Sequence, residues 1–227
     1  MRFSLPHLRR ATAVCGRFET TGKFSWAEIH AALSTYAPVT TAPLNFEPND
    51  DVRPTTSQAT ARLGEDGWIV EKMRWGLVPF WRNGKPLKDT EKGKGDGFKL
   101  TTFNARSETC AGTSTFREAF GKRRCIVPAS AWFEWTGDKG SKTKHRFARA
   151  DGDLLWFAGI WDRVITPDAG EFGSFTIITA ESSGWLGEYH SRAPVILERD
   201  DWGLWLDPSA DARELFAAVR PERFGLD

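Results

Sequence analysis

No stretch of this 227-residue chain is apolar for the length of about 18 residues that a helical membrane span requires; the longest apolar runs, such as 154–158, have the length of a core strand. An excess of one charge is missing too. Lys and Arg number 31 against 30 Asp and Glu, a formal net charge of +1, so nothing global draws the chain to a polyanion. Cysteine is scarce and odd in number: Cys15, Cys110 and Cys125 have no CxxC and no neighbouring His. That spacing argues against a disulfide framework and a zinc site and fits a reducing cytoplasm. There is no GxGxxG, no GxxxxGK[ST], no GxSxG and no carboxylate–His cluster at metal-ligand spacing, so neither a cofactor nor a metal is expected. Tyrosine is rare as well, at 2, whereas tryptophan reaches 11, and most of those rings are expected in the core.

Residues 1–14, MRFSLPHLRRATAV, carry Arg2, Arg9 and Arg10, no acid, and no apolar stretch of secretory-signal length, and Pro6 interrupts any helix. They read as an extension, with 15–227 as a single domain. Ser25-Trp26-Ala27-Glu28 fits a capping box opening a helix to about Tyr36. The proline-rich stretch 37–58 reads as a long surface loop, and the lysine- and glycine-rich stretch 82–100 as a mobile one. Trp68–Trp75 alternates like a strand, and Thr115–Gly121 reads as a short helix. Further strands are expected at 124–127, 131–136, 146–149, 154–163 and 172–179, and an amphipathic helix at 209–219. Strands outnumber helices without alternating with them. This favours α+β, with a mixed, strongly curved, barrel-like sheet flanked by a few helices.

Four polar residues stand in apolar or constrained settings. Strand alternation puts Glu134 on one face with Trp132, and a carboxylate among aromatics has a raised pKa suited to acid–base work. An outward-facing Glu on an edge strand fits the same pattern. His190, one of 4 His, sits in Tyr189-His190-Ser191-Arg192, either as a titrating group or as a plain loop histidine. Asn104 and Arg106 share a face of an extended segment and could hold a phosphate or sugar oxygen, although Asn also starts turns. Cys15 precedes Gly16, which leaves space, and Arg17, whose positive field favours thiolate. Cys110 and Cys125 read as inert.

In their order these pieces resemble the SOS-response-associated peptidase (SRAP) family, the abasic site processing proteins. The matching blocks are Cys15–Phe18, Arg53-Pro54-Thr55, Arg74–Pro79, Phe103–Thr109, Arg124–Ala129 running into Trp132–Trp135, Phe157–Asp162, Phe175–Thr179 and His190–Pro194. The resemblance implies single-stranded DNA as partner and an abasic site trapped on an N-terminal cysteine. An α-amine, with a pKa of about 7.7–8, attacks the ring-opened aldehyde, and the thiol of the same residue closes a thiazolidine. By the same resemblance Cys15 is the nucleophile and Asn104 orients the sugar or the amine. Glu134 shuttles protons, and His190 helps open the sugar ring. Strand cleavage by β-elimination and autoproteolysis before the cysteine are further implied. Arg17, Arg106 and Arg192 each lie two residues beyond one of these positions and are expected to hold flanking phosphates, with Trp75 as a stacking platform for a base.

One departure stands out: Cys15 is not the first residue. Either the start lies at Val14, since a GTG codon can both encode Val and serve as a bacterial start, or 1–14 is a propeptide, or crosslinking has been lost. The first is favoured. The competing readings are a cysteine peptidase acting on proteins through Cys15, His190 and Glu134, and a non-catalytic nucleic-acid module. A soluble monomer without membrane contact is expected. The bulk charge also hides asymmetry: 117–149 holds nine basic and three acidic residues, and 198–227 four basic and eight acidic, so a local grip on a few phosphates is compatible with a net charge of +1.

Overall fold

The computed structural model describes residues 15–92, 101–138, 140–217 and 224–226. The extension 1–14, the stretch 93–100 of the expected mobile loop and the end of the expected tail helix lie outside the described residues.

The strands are β1 (Phe18–Thr20), β2 (Asn49–Val52), β3 (Ser57–Gly64), β4 (Gly67–Trp75), β5 (Asn104–Arg106), β6 (Arg124–Ala129), β7 (Ala131–Thr136), β8 (Thr143–Arg149), β9 (Leu155–Thr166), β10 (Gly170–Glu181), β11 (Arg192–Pro194) and β12 (Phe224–Leu226). The helices are α1 (Trp26–Ser34), α2 (Leu87–Lys92), α3 (Arg117–Lys122) and α4 (Trp202–Leu206). Strands β4, β3, β6, β9 and β10 pair in that order, and β10 also pairs with β4, which closes a five-stranded barrel. The β10–β4 pairing is parallel and the other pairings around the ring are antiparallel, so the barrel is mixed. Past the barrel, the far end of β10 carries β5 on one side and β11 on the other. A second, antiparallel sheet runs β12-β8-β7-β1-β2. The expected curved mixed sheet is therefore present, accompanied by a separate sheet that adjoins it.

Alternation along the barrel strands feeds two apolar clusters. Val70, Ile126 and Ala158 pack with Ile29 and Leu33 of α1 and with Trp202 and Trp205 of α4. Cys125, Val127, Phe157 and Phe175 pack instead with Phe18, Trp132 and Phe147 of the second sheet. Six of the 11 tryptophans, Trp68, Trp75, Trp132, Trp156, Trp202 and Trp205, are buried, in line with the expectation that most lie in the core.

Local signals and outcome agree for α1, where Ser25 Oγ accepts the Glu28 N–H at 3.2 Å. They part in three places. The stretch read as loop 37–58 contains β2 and the start of β3, because Asn49–Val52 finds a partner in β1 and Ser57 one in β4. The stretch 82–100 starts at the last residue of a 3₁₀ turn, Phe80–Arg82, and contains α2, whose first amides at Leu87 and Lys88 are capped by Asp168 at 2.7 and 3.0 Å. The tail forms a 3₁₀ turn, Ala212–Ala217, rather than an α-helix. No helix among the described residues is long and apolar enough to cross a membrane.

Candidate active site

The pairing of β1 with β7 brings the first two residues together. Phe18 lies opposite Trp132, and the Phe133 amide donates to the Arg17 carbonyl at 3.0 Å. Continuing this register puts Gly16 opposite Glu134, on the face that Trp132 occupies. A side chain at Gly16 would meet no atom within 4 Å, so the space beside Glu134 is open. The Cys15 backbone N–H donates to Glu134 Oε1 at 2.9 Å. Cys15 holds that position in the left-handed region, φ 38°, at a cost of about 1–2 kcal/mol for a residue with a β-carbon.

Glu134 is buried, with 4 % of its surface exposed. Desolvation pushes its carboxyl up to about 8, against the Cys15 amide hydrogen bond, which favours the charged form. At neutral pH it is a proton donor held against the Cys15 nitrogen. The Cys15 thiol is itself pushed well above its ordinary value, first by burial and then by the nearby Glu134 charge. This corrects the expectation that Arg17 favours thiolate. The Arg17 guanidinium is turned onto Asp51, and burial decides the titration of the thiol. Cys110 and Cys125 are likewise buried and free, with Cys110 raised to about 11 by desolvation.

Asn104 opens β5, which lies parallel to β10 with Asn104 opposite Ile177. Its Nδ2 donates to the Cys15 carbonyl at 3.4 Å, so Glu134 and Asn104 grip the two polar backbone groups of the same residue. Trp75 supports this placement rather than stacking on a base. It has no exposed surface, and its indole N–H donates to the Phe103 carbonyl at 2.8 Å. The expected stacking platform is therefore corrected: a fully buried ring offers no face to a ligand, and this one anchors the residue before Asn104.

His190 follows a 3₁₀ turn, Gly184–Glu188, and its amide donates to the Leu186 carbonyl at 3.2 Å. Its Nδ1 lies 3.0 Å from the Arg192 amide nitrogen and 3.1 Å from the Arg192 carbonyl oxygen. The neutral ring accepts from the amide and the charged ring donates to the carbonyl, so one backbone residue serves both protonation states. Nε2 is buried and has no hydrogen-bond partner among the described residues. Burial lowers the pKa of His190 and the Arg192 charge adds to this, opposed by the Arg192 backbone contact. Strand β10 presents Asn104 and His190 on its two flanks, with Thr179 opposite both Arg106 and Pro194. No hydrogen bond joins His190 to Cys15 or Glu134.

Of the three arginines, Arg17 pairs with Asp51, and Arg192 pairs with Glu108 at 2.9 Å while also reaching the Thr179 carbonyl. Arg106 is exposed and makes no ion pair among the described residues. Sequence reasoning missed the carboxylates. Asp51 lay in a run read as loop, and Glu108 lay inside the Asn104 block with nothing to single it out. It also passed over His145, which lies directly opposite Glu134 and packs its ring on Tyr189 at 4.8 Å. Among the described residues no group of His, Cys, Asp and Glu is placed to hold a metal ion.

A family model described as SOS response associated peptidase (SRAP) matches residues 14–224. The chain belongs to the SRAP family. "Abasic site processing protein YMR114C" of Saccharomyces cerevisiae is 34 % identical over 182 residues, covering 78 % of this chain and 46 % of its own length. "Abasic site processing protein YoqW" of Bacillus subtilis is 28 % identical over 210 residues, covering 92 % and 87 %. The chain thus spans about half of the yeast relative and most of the Bacillus one. A crystal structure of a Bordetella bronchiseptica protein superposes with a TM-score of 0.73 at 27 % identity, covering 93 % of this chain and 98 % of that one. One from Bacteroides thetaiotaomicron gives 0.75 at 25 %, covering 93 % and 90 %. SRAP membership accounts for the barrel and the flanking sheet; the roles of individual side chains rest on their chemistry.

Proposed function

We propose that this SRAP protein is an abasic-site sensor of single-stranded DNA that forms a covalent adduct through Cys15 once that residue carries a free α-amine. One observation carries the reading: the Cys15 nitrogen is held 2.9 Å from the carboxyl of Glu134, a group buried in the fold and placed to exchange protons with that nitrogen. The amine adds to the C1′ aldehyde of the opened deoxyribose and passes a proton to the alkoxide that forms. Glu134 then gives a proton to the resulting hydroxyl, which leaves as water, and takes back the proton left on the nitrogen, which gives the neutral imine. The thiol adds to the imine carbon, its proton passes to the nitrogen, and the five-membered thiazolidine closes. Asn104 fixes the Cys15 carbonyl and so the direction of the amine. His190, whose buried Nε2 has no hydrogen-bond partner among the described residues, supplies and removes the proton at the sugar oxygen during ring opening. From the imine, before the thiol closes the ring, Glu134 as carboxylate or His190 removes a C2′ proton and the 3′ phosphate leaves, which gives the β-elimination. Arg17, Arg106 and Arg192 hold flanking phosphates.

The same contact suits release of residues 1–14. The nitrogen facing Glu134 is that of the 14–15 peptide bond. Attack of the Cys15 thiol on the preceding carbonyl breaks the C–N bond, with Glu134 protonating the departing nitrogen, and water hydrolyses the thioester. Turnover of other proteins has less support, because the thiol is held protonated and has no hydrogen bond to His190.

The test incubates protein beginning at Cys15 with an oligonucleotide carrying one abasic site. A heat-stable shifted band is expected, lost in Cys15→Ala while affinity for the oligonucleotide persists. Absence of the band rejects crosslinking. For the chain carrying 1–14, mass spectrometry is expected to show their time-dependent loss, blocked in Glu134→Ala.

A further inference from the structure

Two arginines face each other across β1 and β2 at the mouth of the site. The register Phe18 opposite Val52, continued by one residue, sets Arg17 opposite Arg53. Like charges in that relation destabilise a sheet unless an anion lies between them. Here the anion is Asp51, two residues before Arg53 on the same face. One of its carboxylate oxygens takes Arg17, and the other takes Arg53 Nε at 2.8 Å together with the second Arg53 nitrogen. The pairing is accessible: the side chains of Arg17, Asp51 and Arg53 are 32, 29 and 60 % exposed. Arg17 also lies over the Trp135 ring. The backbone after Arg53 is held firmly. Thr56 donates twice to the Arg53 carbonyl, and Thr55, in the left-handed region at φ 79°, donates to the Trp75 carbonyl at 2.7 Å. Pro54 and Thr55 then line a cavity of about 300 Å³ with Trp75, Gly76 and Phe103, the last adjoining Asn104. The arginine pair is therefore two residues along the chain from Cys15 on one side and, on the other, adjoins Pro54 of the cavity lining.

We propose that Arg53, with Arg17, forms a two-guanidinium clamp for one backbone phosphate of the bound strand, and that Asp51 occupies the phosphate's place in the free protein. This rests on the DNA reading above. Two guanidinium groups against one carboxylate leave a net positive charge, so the site attracts an anion while Asp51 competes with it. A phosphodiester with two free oxygens matches the bridging geometry of the carboxylate.

The test uses a fluorescent single-stranded oligonucleotide carrying a tetrahydrofuran abasic analogue, which has no aldehyde and reports binding alone. Affinity is measured from 50 to 200 mM salt. Arg53→Ala is expected to weaken binding about fivefold and to lower the salt slope by about 0.7, the value for one contact to a single strand. Asp51→Asn is expected to tighten binding about threefold and steepen the slope, because removing the resident carboxylate lets both guanidinium groups engage phosphate. Replacing phosphates one at a time with methylphosphonate in the wild-type complex should reveal one linkage whose neutralisation weakens binding. That linkage should cost nothing in Arg53→Ala. Weakened binding in Asp51→Asn, or no linkage whose cost depends on Arg53, overturns the clamp. Failure of the wild-type protein to bind the oligonucleotide overturns the DNA reading instead.

Discussion

Glu134→Gln should stabilise the protein above neutral pH while abolishing its chemistry. The glutamate is buried, and its carboxyl is raised from 4.5 to about 8 in the fold. A group with a raised folded pKa gives stability that is fully present below its unfolded pKa and is lost as the pH climbs to its folded one. Between those limits the unfolded chain ionises and the native site stays protonated, so stability falls by about 1.4 kcal/mol per pH unit. Integrated from pH 5 to pH 9, the loss is roughly 4 kcal/mol. Glutamine has nearly the same volume, still accepts the Cys15 N–H and does not titrate, so it removes the slope. The assay is urea unfolding of both proteins from pH 5 to 9, each with Cys15→Ala so that residues 1–14 stay attached. The stability of the variant relative to wild type should rise across this range by about 4 kcal/mol, levelling off above pH 8. A difference that does not change with pH, or a variant less stable at pH 8 than at pH 5 relative to wild type, would refute the claim that Glu134 is held protonated. Protein beginning at Cys15 should behave differently. Its α-amine, held at the same carboxyl, stabilises the charged form, so the pH-dependent loss should shrink.

Other consequences are open to direct measurement. Trp75→Phe removes the indole hydrogen bond to the Phe103 carbonyl and part of a buried ring; a loss of about 2–3 kcal/mol in unfolding free energy is expected, with slower adduct formation because Asn104 is less well held. All three thiols are buried, so a thiol reagent at pH 8 should label the native protein slowly and all three cysteines rapidly in denaturant; rapid native labelling of Cys15 would contradict its burial. His190 titrates below its ordinary value, so with the wild-type enzyme the rate of adduct formation should fall as pH drops through the range where His190 becomes charged, and in His190→Ala that part of the profile should flatten.

Much of this site was legible from residue order because its parts lie on short extended segments. Alternation paired Glu134 with Trp132, and an i, i+2 relation tied Asn104 to Arg106. The Cys15–Phe18, Phe103–Thr109 and His190–Pro194 blocks pointed to one family. α1 was equally legible, since its cap is local. What could not be read was whatever depends on a partner distant in the chain. β2 looked like a loop until β1 supplied its hydrogen bonds. α2 is capped by Asp168, 80 residues away from Lys88. Trp75 looked free to stack, and only the packing of Phe18, Phe103 and Phe175 around it removes it from solvent.

Residue types and their spacing determined the chemistry available: an aminothiol if Cys15 becomes terminal, a carboxylate in an aromatic strand, an amide, an imidazole and three arginines. Tertiary structure decided their protonation and their pairing. Glu134 is held up to about 8 and Cys15 stays a thiol because both are buried. Arg17 faces Asp51 and Arg192 faces Glu108 because the sheets bring 17 beside 51 and 108 beside 192. Desolvation and charge neighbours depend on distance in space. A linear sequence can carry the groups, but only the folded chain sets the distances between them.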